Sequence, residues 1–76
     1  MDILTMMREV YHFVFTARFR SNGSIRVDLL NRGMNEPSEV AVFLRYLANN
    51  GFAHSSSVEE EETYYSKDDL TIAIPW

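Results

Sequence analysis

With 76 residues and no cysteine, the chain has room for one small domain, held without disulfides or thiolate metal ligands. Its hydrophobic content of 46%, with 13% aromatic residues, excludes a disordered segment and is enough for a packed core. The net charge of -4 is unevenly laid out: Arg8, Arg18, Arg20, Arg26, Arg32 and Arg45 all precede residue 46, after which Lys67 alone faces Glu59 to Glu62, Asp68 and Asp69.

The amino-terminal run from Met1 to Glu9 carries Asp2, Arg8 and Glu9 among its apolar residues. That pattern differs from a signal peptide or a membrane span and predicts a soluble, cytoplasmic protein. Ile3, Met7, Val10, Val14 and Ala17 then follow spacings of three and four, which predict an amphipathic first helix.

A second periodicity crosses the same region. Phe13, Phe15, Ala17 and Phe19 alternate with His12, Val14, Thr16, Arg18 and Arg20, and Ile25, Val27 and Leu29 continue the alternation. Read this way, Ser21-Asn22-Gly23 is a hairpin loop that sets Phe19 against Ile25, Ala17 against Val27 and Phe15 against Leu29. Arg18 then meets Arg26, and Val14 and Leu30 fall on the outer face. In the helical reading, residues from Ile25 to Gly33 form a short second helix that stops at Gly33.

The segment Glu36 to Phe52 is a helix marked at both ends. Pro37 suits the first turn, where its missing N–H is not needed, and Glu39 places a carboxylate near the positive helix end. Val40, Phe43, Leu44 and Leu47 define the buried stripe, and Asn50-Gly51 ends the helix so that Phe52 folds back. Beyond it, residues 52–55 and Leu70 to Ile74 are read as two strands, with Leu70, Ile72 and Ile74 on one face, and Ser55 to Ser66 as an exposed loop.

The order of residues from Ser24 to Ile74 resembles a winged helix-turn-helix domain. Ser24 to Leu30 matches the second helix, Gly33-Met34 the turn, Val40-x3-Leu44-x2-Leu47-x3-Gly51-Phe52 the third helix, and Phe52 to Ile74 the wing. The segment from Gly33 to Val40 exceeds the usual turn, and the wing loop is long and acidic. The resemblance implies an α+β fold of three helices plus a C-terminal hairpin. The other reading is a ββαββ sandwich with its first hairpin around Asn22-Gly23.

The resemblance also implies that the third helix meets DNA, with Arg26, Arg32, Ser38 and Arg45 as contacts. Glu36, Glu39 and the four glutamates carry the wrong charge for that role. Val42, Tyr46 and Asn49 project away from the buried stripe with Arg45 beside Tyr46, a face that suits a protein partner; the other reading packs Val42 and Tyr46 against the first helix. The leading expectation is therefore a small non-enzymatic regulator, of the kind phages encode as inhibitors. It would bind a protein with a basic or apolar surface through that helix face and through Glu59, Glu60, Glu61 and Glu62, acting as a phosphate mimic. A DNA-binding regulator is the second expectation, and a homodimer is compatible with either.

His12 and His54 lack any ligand spacing, and Ser55 to Ser57 lack a nucleophile motif. Four consecutive acids lack the spaced oxygens and turn glycine of a calcium loop. No cofactor, metal or catalytic group is expected.

Overall fold

The computed structural model describes residues 2–30 and 35–75. A short helix α1 (Ile3–Thr5) passes into a π-helical turn (Met6–Val10), followed by β1 (Phe15–Phe19), β2 (Ile25–Leu29), α2 (Pro37–Asn49), β3 (Ala53–Ser57), β4 (Glu62–Lys67) and β5 (Leu70–Pro75). The strands form one five-stranded sheet in the order β1-β2-β5-β4-β3. All neighbours are antiparallel except β2 and β5, which run parallel. Among the described residues, the helices pack on the face that carries Val27 and Ile72, and no helix packs on the other, open face.

This α+β architecture corrects the expectation of three helices plus a wing. The segment read as a second helix is strand β2, and residues 62–75 belong to the central sheet because β5 docks beside β2. The sandwich alternative also departs from the structure. Residues 53–57 do not pair with residues 70–75, since β4 lies between them, and the loop expected over Ser55 to Ser66 contributes strand residues at both its ends. The Gly33-Met34 turn lies outside the described residues.

The first hairpin has the register derived from alternation: Phe15 pairs with Leu29, Ala17 with Val27 and Phe19 with Ile25. Asn22 holds its turn by accepting from the Ser24 backbone N–H at 3.0 Å, and Gly23 takes a φ of 88° that costs glycine little. The long first helix fails because its stripe breaks at Val10, which is 54% exposed. The turn ends there: the Phe13 N–H donates to the Met7 carbonyl at 2.8 Å across a left-handed His12. Phe13 is thereby turned inward, where its ring lies 5.0 Å from Tyr11 and 5.3 Å from Phe43.

The core joins Met7, Phe13, Val27, Leu29, Val40, Phe43, Leu47, Ile72 and Ile74. Val27 and Ile72 are paired across the parallel ladder and fully buried, so the centre of the sheet is also the centre of the core. Helix α2 ends as its sequence foretells. The Gly51 N–H donates to the Ala48 carbonyl at 3.3 Å and the Phe52 N–H to the Leu47 carbonyl at 3.1 Å, with Gly51 at a φ of 84°. Lys67 adds its ammonium to the Asn50 carbonyl at 2.8 Å, a cation at the negative helix end. Among the described residues, no helix is long and apolar enough to cross a membrane.

Candidate functional site: an acidic end and a solvent-facing helix

The path of the chain decides which charges meet. Asn35, just before α2, accepts the Val14 N–H at 2.7 Å, so the helix begins at the end of the sheet where β1 starts and β2 finishes. Through the intervening pairings β3 runs parallel to β2, and it finishes at that same end. The turn from Val58 to Glu61 therefore shares one end of the molecule with Glu36 and Glu39. Glu36 and Glu39 begin the helix and Glu59 to Glu61 follow its C-terminus in sequence, yet the crossover brings both sets to one end.

Within the acidic run the four glutamates differ. Glu59, Glu60 and Glu61 are exposed in the turn, whereas Glu62 is half-buried on β4 and pairs with Arg26 at 3.2 Å. The turn is closed by the Glu60 N–H donating to Ser57 Oγ at 3.2 Å, and Glu61 adopts a left-handed φ of 54°. Tyr64, pointing to the open face, donates its hydroxyl to the Glu60 carboxylate. That bond, and then the one to Glu62, pushes the Tyr64 phenol well above its ordinary range.

On the open face, Arg26 donates from Nε to Asp28 at 3.0 Å and lies 5.8 Å from the centre of the Tyr64 ring. The hydrogen bond to Asp28 raises the Arg26 pKa further above its already high value, so it stays charged. The structure thus places this expected phosphate contact in a network with Asp28 and Glu62. Arg45 and Ser38 lie on the outer side of α2, and Ser38 stands between Glu36 and Glu39. Arg32 lies outside the described residues. The expected DNA contacts are therefore spread over two faces.

Of the helix residues expected to meet a protein, Val42, Arg45 and Asn49 are exposed and form one stripe with Ser38. Val42 is 53% exposed. Tyr46 departs from them: it is half-buried, packs against the core and lines a cleft of about 600 Å³. Leu4, Phe52 and Leu70 line the same cleft, with Lys67, Asp68 and Asp69 at its rim. Arg45, Tyr46 and Asn49 belong to the later half of the helix, away from the acidic turn, so the two parts of the expected interface are not contiguous.

Sequence reading missed Asp28 and Tyr64 as members of the open-face network. The signal was present in the strand alternation, which puts Arg26 and Asp28 on one side of β2 and Glu62 and Tyr64 on one side of β4. Among the described residues, no group of three or more His, Asp or Glu is arranged to hold a metal ion. Comparison with protein-family models, curated proteins and solved structures gives no significant match.

Proposed function

We propose that this protein is a small, cytoplasmic, non-enzymatic regulator that binds a basic protein surface through its acidic end. The observation that supports this reading is the gathering of Glu36, Glu39, Glu59, Glu60 and Glu61 at one end of the fold. Carboxylates that share one end of a fold give that end a negative field, which speeds encounter with a cationic groove. The natural target is a protein that handles nucleic acid, which the acidic end would occupy in place of phosphate.

Capture from nuclease-treated host lysate tests the proposal, with wild type compared against Glu59→Gln/Glu60→Gln/Glu61→Gln. The expected partner is basic, is displaced by short duplex DNA and by salt, and is lost with the triple variant. Direct binding of duplex DNA by the protein itself, weakening steeply with salt, would overturn the reading.

A further inference from the structure

We infer that the outer edge of β1 is a homodimer interface, in which two copies pair antiparallel about Ala17 and join their sheets into one. The hydrogen bonds of the first hairpin determine which backbone groups face outward. The Leu30 N–H donates to the Val14 carbonyl at 3.0 Å, and the Arg20 N–H to the Ser24 carbonyl at 2.9 Å, so Val14 and Arg20 are bonded toward β2. Antiparallel ladders alternate, which makes Thr16 and Arg18 inward-bonded as well and turns the N–H and C=O of Phe15, Ala17 and Phe19 outward. Among the described residues no strand pairs with them, because β1 ends the strand order.

Those three residues form a self-complementary edge. A two-fold axis through Ala17 sets Ala17 against its own copy and Phe15 against Phe19 of the second copy, each pair exchanging the outward groups. The side chains of Phe15, Ala17 and Phe19 share the face that carries Val27 and Ile72. Phe19 is 72% exposed, an aromatic on an unpaired edge that monomers usually protect. Pairing places it on Phe15, an aromatic cross-strand contact repeated twice in the dimer.

The area points to a second copy that binds reversibly. Each Phe19 contributes roughly 150 Å². With the two strand edges the total comes near the lower limit for specific association, about 1,000 Å², which places the dimer among weak, reversible associations. The other edge, β3, is Ala-His-Ser-Ser-Ser and brings much less apolar area. Pairing through β1 leaves both acidic turns free at the outer edges of the joined sheet.

Sedimentation equilibrium from about 5 to 500 µM, the range spanning the affinity expected of so small an interface, tests the inference. Wild type is expected to pass from monomer to dimer. Ala17→Pro removes an N–H not used within the monomer and tolerated at an edge, so it should stay folded by circular dichroism yet remain monomeric. Phe19→Ser should weaken association at least tenfold, and Ser55→Lys on β3 should leave it unchanged. A monomer throughout the range, or a dimer that survives Ala17→Pro and Phe19→Ser, would overturn the proposal.

Discussion

Arg18 and Arg26 stand directly opposite each other on β1 and β2, and Asp28 reaches both, at 3.6 Å and 2.9 Å. Like charges facing across a ladder are unfavourable, and this carboxylate is what makes the pairing tolerable. Its side chain is only 19% exposed, whereas that of Arg18 is 73% exposed. Asp28→Ala removes the shared anion from between two cations and is expected to cost about 2 kcal/mol in urea denaturation. Arg18→Ala, at the solvated end, should change stability by less than about 0.5 kcal/mol. Equal effects of the two substitutions would contradict this division.

Helix α2 supplies a second contrast. Leu44 and Leu47 both fall on the apolar stripe, but Leu47 is fully buried and Leu44 only half-buried at the helix edge. Leu47→Ala should cost about 3 kcal/mol, within the usual range for a core leucine. Leu44→Ala should cost about 1 kcal/mol, in line with the smaller area that it withdraws from water. Thermal denaturation of the two variants checks the order, which a stripe read from periodicity alone leaves undecided.

Legibility followed the range of the interactions. The ends of α2 are written locally in Pro37 and Gly51, and the hairpin register in Phe15, Ala17 and Phe19 against Ile25, Val27 and Leu29. The choice between helix and strand for residues 13–29 was not local. Val14 and Ala17 fit both periods, and what decides is that Val27 gains Ile72 as a neighbour across a parallel pairing of residues far apart in the chain. Nothing in the spacing of Ile25 to Leu29 announces that partner. The acidic end was half-legible: the Glu59 to Glu62 run is plain in the sequence, while its sharing an end of the sheet with Glu36 and Glu39 depends on the crossover.

Two hairpin turns carry a conformational cost. Glu61 and Asp68 hold left-handed φ values of 54° and 53°, where an L side chain crowds its own carbonyl. Glu61→Gly and Asp68→Gly should each stabilise the fold by about 1 kcal/mol, each also removing one negative charge from an acidic chain. For a domain of this size that corresponds to a rise in Tm of about 4 to 8 °C. Glu61→Ala should not share the gain, since it keeps a Cβ in the strained region. Melting curves of the three variants separate relief of strain from loss of charge.

Tyr64 gives the fold an alkaline signature. Its hydroxyl donates to Glu60, and a phenolate there would face the Glu60 and Glu62 carboxylates, so the folded-state pKa lies above the ordinary phenol value of about 10. A group raised on folding contributes fully below its unfolded value and loses that contribution as pH climbs through the folded one. The contribution to stability should therefore be full across neutral pH and decline only above about pH 10, where the unfolded chain releases its proton more readily. Absorbance at about 295 nm, where phenolate absorbs, should show a last step above the ordinary phenol range that disappears in Tyr64→Phe. Glu60→Gln should move that last step downward, because a neutral amide still accepts the hydrogen bond without repelling the phenolate. An unchanged titration in Glu60→Gln would mean that the carboxylate does not control Tyr64.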